Sequence, residues 1–308
     1  MRASIDALLA QYQIRKSNKE KQAFTAWLKA QLQAHGYELT EERYSKNGCN
    51  LVVGDVKTAK IILTAHYDTQ PNFFIPVMMG FSNWFFFLLS QIILMLPLIA
   101  LLGLFFVARA LFPSNFVLPL VLLAICLLYG VQITCGIANK HTANDNTSGV
   151  AALIAILEDL PKEDREKVCV VFFDQEELNL VGSNQFKKKY KADVISKPLI
   201  NFDCVSDGQT LMFVMKKKFK KSNYFGLLKA AGDKAVQGTK KQVRYADALT
   251  NIYTSDQMLF KQGVGVVAAK KSPLGYYIDR IHSGLDTNFD NENIELLKDI
   301  MLTMLHKA

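Results

Sequence analysis

Residues 69–144 of this chain contain no acidic side chain, and their only Lys or Arg residues are Arg109 and Lys140. Inside that stretch lie two almost wholly apolar runs. One covers 25 residues from Trp84 to Ala108 with Gln91 as its one strongly polar side chain; the other covers 18 from Phe116 to Ile133 with only Gln132. A helix rising 1.5 Å per residue needs about 20 residues to cross a hydrocarbon core of about 30 Å. Each run is long enough to cross, and Arg109, Pro113, Ser114 and Asn115 between them predict a tight helical hairpin. Pro97 and Pro119 are tolerable there, because backbone facing lipid has no better option than helix. A helix on a soluble core shows an apolar stripe, and apolar character all round weighs against a buried helical pair or a cap over a cleft.

A hairpin returns the chain to the side it left. Residues 1–74 and 138–308 are therefore expected to form one discontinuous domain in one compartment, with 75–137 as an inserted transmembrane helical hairpin in contact with membrane lipid. The N-terminal stretch MRASIDALLAQYQIRKSNKEKQ has no apolar signal region. The cysteines, Cys49, Cys126, Cys135, Cys169 and Cys204, are odd in number with no CxxC pair, which speaks against a disulfide framework and for a reducing compartment. The expectation is an integral membrane protein with two spans and a cytoplasmic catalytic domain.

Outside the apolar block, four short apolar runs read as buried parallel strands: Ile61–Ala65, Lys167–Phe173, Pro198–Phe202 and Val264–Ala269. Helical patterns separate them at Ser17–His35, Thr147–Leu160, Leu180–Tyr190, Ser222–Ala235, Ser255–Gln262 and from about Asn291 onward. Alternating strands and helices predict an α/β fold: a mostly parallel mixed sheet covered by helices on both faces.

In such sheets ligands gather at the carboxyl ends of the strands. Here one run leads into His66, Tyr67 and Asp68, the next into Glu176 and Glu177, and the third into Asp203. Asp145 stands just before a helix, and His282 lies in a polar loop. Singly, each has a plain structural explanation, such as a helix cap for Asp145. Together, imidazole and carboxylate without thiolate suit Zn²⁺ or a similar divalent ion, and five ligands are one too many for a closed tetrahedral site. Two ions sharing a bridging carboxylate would use them all.

The ordered motifs HYDTQP, NDNTSGVAAL, FFDQEELNLVGS, NFDCV, TSDQMLF and IHSGLDT, over roughly residues 20–74 and 139–308, resemble the co-catalytic zinc aminopeptidases. That is metallopeptidase family twenty-eight, whose relatives include glutaminyl cyclases and the transferrin receptor ectodomain. The resemblance implies a zinc exopeptidase-like fold with two Zn²⁺ per chain. Asp145 would bridge them, His66 and Asp203 would hold one, and Glu177 and His282 the other. Glu176 would be the general base and Asp68 would fix the His66 tautomer from behind. It implies an aminopeptidase that hydrolyses N-terminal residues from peptides with a water activated between two zinc ions.

Three departures from the family pattern stand out. The link from His66 to Asp145 is long and holds the hairpin, Ile281 precedes His282 where aminopeptidase relatives often carry Tyr, and Gln257 replaces a common His. Two other readings share the scaffold. A glutaminyl-cyclase-like acyltransferase would use one zinc and a Trp before its His ligand, which this sequence lacks; intact ligands argue against a non-enzymatic membrane receptor or scaffold. The net charge of +8 comes with lysine clusters but no nucleic-acid motif, so no nucleic-acid partner is expected.

Overall fold

The computed structural model describes all 308 residues. In chain order the elements are α1 (Ala3–Gln11), α2 (Asn18–Ala34), β1 (Leu39–Arg43), β2 (Cys49–Val53), β3 (Ile61–His66), β4 (Val77–Gly80), α3 (Trp84–Leu111), α4 (Val117–Cys135), α5 (Gly149–Asp159) and β5 (Val168–Phe173). They continue with α6 (Val181–Lys189), α7 (Lys191–Val194), β6 (Leu199–Phe202), β7 (Thr210–Met215), α8 (Lys217–Lys220), α9 (Asn223–Ala235), β8 (Gln242–Asp247), β9 (Gly263–Ser272), β10 (Gly275–Ile281) and α10 (Asn291–His306).

The centre of the sheet is parallel, as the apolar runs predict: β5, β3, β6 and β9 lie side by side in one direction. Every residue of β3, β5 and β6 is buried, because helices cover both faces. The edges differ. On one side β2 and β1 add antiparallel; on the other β9 meets β7 antiparallel, and β7 meets β8 in parallel. One face packs under α1, α2, α5, α9 and α10 around Leu63, Ile154, Phe202 and Ile300. The opposite face packs under α6 and α7 around Ile62, Phe173 and Phe186.

Local signals explain several boundaries. Ser17 and Glu20 form a reciprocal capping box that starts α2, and Phe24, Leu28 and Leu32 carry its buried face. The helix expected over Ser255–Gln262 is instead a single 3₁₀ turn, Asp256–Leu259. Gly263 already begins β9, and the side chains of Ser255 and Gln257 are committed to Asn201 on β6, which leaves no length for a helix.

β9 is long enough to leave the main sheet. Lys270–Ser272 pair with β10, and β10 pairs in turn with β4, giving a ribbon whose own core contains Val77, Phe81, Tyr276 and Ile278. Residues 77–80, expected within the apolar insertion, thus form a strand of this ribbon, and the helices of the insertion occupy 84–135. Gly80 lies under the Phe86 ring, where a β-carbon would collide, so α3 seats closely on β4. Beyond this seat α3 and α4 run antiparallel and project away. Phe86, Ser90 and Ala108 are the buried residues of α3, and Pro119 is that of α4.

Candidate metal centre

His66 ends β3, and its Nε2 lies 3.3 Å from Asp145 Oδ1 and 3.6 Å from Asp203 Oδ1. His282 follows β10 and places Nε2 3.0 Å from Asp145 Oδ2 and 3.8 Å from Glu177 Oε2. Two triads result, His66–Asp145–Asp203 and Asp145–Glu177–His282, each with its ligand-type atoms within 4.8 Å of one another, and Asp145 belongs to both. Glu176 stands in a third such group with His66 and Glu177. All six side chains expected at a metal site thus lie in one cluster.

Asp68 stands behind His66, but its Oδ1 is 3.6 Å from Nδ1, beyond hydrogen-bond reach, and Nδ1 makes no hydrogen bond. The Asp68 carboxylate accepts instead from the backbone N–H groups of Glu176 (3.0 Å) and Glu177 (3.3 Å). Its direct work here is to hold the paired glutamates against the end of β3.

The NDNTSG motif is a set of braces for Asp145. Asn144 Oδ1 accepts from Ser206 and Asp207 N–H; Asn146 donates to Phe202 O and accepts from Gly149 N–H; Ser148 bonds Asn144 O and Val205 N–H. Gly149 opens α5 hard against the Phe202 carbonyl, a contact that a side chain would block. Asp145 itself has non-helical backbone angles inside this turn. Its N–H and that of Asn144 donate to the two oxygens of Asp286, at 2.9 and 2.8 Å.

Three supports had no clear signal in the sequence. Asp286 lies in IHSGLDT, but its contact with Asp145 spans 141 residues. Gln70, oriented as its partners require, donates to Glu177 Oε1 (2.8 Å) and accepts from the His282 N–H (3.2 Å). Arg15, fully buried, bonds the Tyr67 carbonyl and Thr147 Oγ1, tying the end of β3 to the start of α5. The TSDQ motif is structural in part: Ser255 and Gln257 bond Asn201, and Gln257 also donates to Tyr253 O, so this amide is spent inside the fold. Backbone strain gathers at the same place. The seven non-glycine residues with positive φ are Phe74, Gln175, Asn179, Leu180, Cys204, Arg280 and His282, each at or within a few residues of the cluster or its walls.

The electrostatics call for cations. The ion-pair partners of Asp68, Asp145, Glu177 and Asp203 are imidazoles alone. Burial pushes Glu176 and Glu177 well above the usual carboxylate range, and neighbouring carboxylates add to it. Burial also raises Asp256 to about 7 and Asp286 to about 8. His66 is opposed by burial, yet Glu176, Asp145, Asp203 and Asp68 together lift it well above the ordinary imidazole value. Burial works against the Asp145 charge too, but His282 and His66 hold it far below the usual range. So much buried carboxylate with two imidazoles is unstable without further positive charge. The donor set, nitrogen and oxygen in two triads with one shared carboxylate, fits two divalent ions.

Comparison with known proteins bears on family and fold. A family model described as Peptidase family M28 matches residues 130–307. Among solved structures, Porphyromonas gingivalis glutaminyl cyclase aligns with a TM-score of 0.60 at 16% identity, covering 99% of this chain and 97% of that one. Macrostomum lignano glutaminyl cyclase gives 0.56 at 13% identity, covering 97% and 88%. Aminopeptidase APDkam598 from Desulfurococcus kamchatkensis gives 0.50 at 12% identity, covering 99% and 95%. At these identities the likeness is one of fold. No curated protein matches.

Proposed function

Because the chain belongs to peptidase family M28, we propose that it is a membrane-anchored, metal-dependent exopeptidase that removes N-terminal residues from peptides. The observation that carries this reading is the Asp145 carboxylate, whose two oxygens face His66 on one side and His282 on the other. His66 and Asp203 would hold one ion and Glu177 and His282 the other, with Asp145 shared. Zinc at such a pair supplies Lewis acidity, lowering the pKa of a water towards 7 and polarising a carbonyl.

The remaining chemistry belongs to side chains of this protein. Glu176 lies beside His66 and Glu177 but belongs to neither of the two triads that share Asp145, which leaves its carboxylate free to take up and release a proton. It accepts the proton of the attacking water and returns it to the amine nitrogen as the peptide bond breaks. Asp68 holds its backbone in place. Gln70 steadies Glu177 and the His282 loop together.

Anchoring is supported by the exposed helices. α3 and α4 are long and apolar enough to cross a bilayer, and Phe86, Ser90, Ala108 and Pro119 are their only buried residues. Exposure of this extent speaks against a helical pair buried in a soluble core and supports the anchoring reading.

The test is metal content and peptide hydrolysis on the purified full-length chain. The reading expects two divalent ions per chain, and in Glu176→Gln equal metal with hydrolysis lower by about 10²- to 10⁴-fold. One ion per chain with cyclisation of N-terminal Gln would favour the acyltransferase. Two ions without metal-dependent hydrolysis of any N-terminal residue would overturn the peptidase reading.

A further inference from the structure

The hairpin and the metal site are joined through one short piece of chain. β4 pairs with β10, and Val77 stands opposite Ile281, the residue before His282. On the same approach the Phe73 N–H donates to His282 O (2.9 Å), and the Phe73 ring packs edge-on against the His282 imidazole, 4.9 Å between centroids. At the other end of the hairpin Gln132 of α4 donates to Asn72 O, the Asn72 N–H donates to Ile137 O, and the Asn139 N–H donates to Gln70 O. The bases of both apolar helices are thus bonded to the chain that carries Gln70 and touches His282.

A cavity of about 360 Å³ shows what this joint faces. Asp68 and Glu177 stand on its wall together with Thr134 and Cys135, the last turn of α4. Solvent-exposed apolar side chains flank the site at four places: Phe74 beside Phe73, Ile137 at the foot of α4, Leu178 beside Glu177, and Leu285 between His282 and Asp286. Phe74 is 64% exposed and held at φ 61°, its N–H bonded to the Asn72 side chain. An aromatic ring fixed outward on strained backbone, beside the exits of two lipid-facing helices, has a natural apolar phase to meet. The outer face of α3 continues it with Trp84, Phe85, Leu88 and Ile92, all exposed. Trp at such a level is where interfacial aromatics sit.

We propose that the mouth of the metal site rests on the lipid surface, with Phe74, Ile137 and Leu285 in the headgroup region, and that the substrate is an amphiphilic peptide held in that surface rather than one free in solution. The inference rests on the membrane-anchored peptidase reading above. An anchored substrate is confined to the layer that the cavity opens on, so its effective concentration there exceeds its bulk value.

Two measurements on the full-length, metal-loaded chain in phosphatidylcholine vesicles test it. The first places a Trp at Phe74→Trp, Leu285→Trp or Thr58→Trp and measures quenching by headgroup-spin-labelled lipid, with the native protein as background. Thr58 is exposed and precedes β3, about 20 Å from its His66 end. Quenching at 74 and 285 and none at 58 is expected; equal quenching at all three, or none at 74 and 285, overturns the placement whatever the activity. The second compares two peptides with the same N-terminal sequence, one carrying a C-terminal lipid chain. The anchored peptide is expected to show kcat/KM higher by about tenfold or more, and Ile137→Ser/Leu285→Ser to narrow that ratio to within about threefold. Equal rates for the two peptides overturn the substrate inference and leave the peptidase reading standing. Hydrolysis of neither, with metal bound, overturns the peptidase reading and the substrate inference with it, while the quenching result still decides the placement.

Discussion

The centre of the sheet and the inserted hairpin solve opposite problems. Around Asp145 the chain buries polar groups and braces the turn with hydrogen bonds, from Asn144 on Ser206 to Asn146 on Phe202, while His66 Nδ1, His282 Nδ1 and the Asp256 carboxylate make none. Along α3 and α4 the chain exposes apolar groups, and the helices satisfy their own backbone while their side chains have few protein neighbours. The first region is specified by hydrogen bonds and close packing; the second needs only length, helicity and an apolar solvent. Sequence changes should therefore matter very differently in the two.

The sharpest way to break this contrast is deletion. Removing residues 84–135 and joining Asn83 to Gly136 with a short flexible linker keeps β4 and Phe81, and should release a folded, soluble protein. Removing 73–138 takes β4 and Phe81 as well. Phe81 is fully buried in the ribbon core, and losing a side chain of that size costs about 3–5 kcal/mol before the strand itself is counted. Urea unfolding should show the wide deletion less stable than the narrow one by at least that amount. Equal stabilities would mean that the ribbon belongs to the hairpin rather than to the domain. Leu63→Ala in β3, also fully buried, should cost about 2–5 kcal/mol in the same assay.

Asp286 sharpens the claim about bracing. Its two oxygens accept from Asn144 and Asp145 N–H, and Asn can offer only one acceptor oxygen to that pair. Asp286→Asn should keep the fold and weaken metal affinity about 10- to 100-fold, as loss of support behind a ligand does. Titration with Zn²⁺ at pH 7 reads this directly, and an unchanged affinity would assign Asp286 to the loop alone.

What the sequence shows of this architecture follows the same division. The four central strands are legible because strands buried on both faces must be continuously apolar. The two apolar helices are legible because each run is long, apolar and nearly free of charge. The ligand set is legible because ligands collect at strand ends, and the structure brings His66, Asp145, Glu176, Glu177, Asp203 and His282 together. The edges are not. β1 reads Leu-Thr-Glu-Glu-Arg with only Leu39 buried, β8 buries only Ala246, and both take their strand character from a neighbour rather than from themselves. β4, Val-Met-Met-Gly, merges into the apolar block, and only its pairing with β10 separates it. Gln70, Arg15 and Asp286 act across contacts that no local pattern announces.

A smaller effect is expected from acid. Arg2 pairs with Glu158, Asp159 and Glu295 at the corner where α1, α5 and α10 meet, and it is the first cause holding Asp159 and Glu295 down at about 2. Both folded values lie below the unfolded ones, so this stabilisation is complete above about pH 4.5 and is lost as pH falls towards 2. The partners are a fifth to somewhat over a third exposed, which keeps each pair below about 1 kcal/mol. The gap in urea midpoint between the native chain and Arg2→Ala should therefore narrow steadily from pH 5 to pH 2. A gap that stays constant would mean that the Arg2 stem, rather than its charge, holds the corner.

The smallest effect belongs to the hairpin. Leu104 is 54% exposed on α3, well beyond the seat on β4, and its surroundings in a bilayer would be acyl chains before and after truncation. Leu104→Ala changes the insertion free energy by about 0.3–0.6 kcal/mol at most and removes no contact with the α/β domain. The thermal midpoint of that domain, followed through Trp27 where it stacks on Tyr12, should move by less than the scatter of the measurement, against the several kcal/mol expected at Leu63. A shift at Leu104 comparable to that at Leu63 would mean that the outer half of the hairpin packs on protein, and the contrast between the two regions would no longer hold.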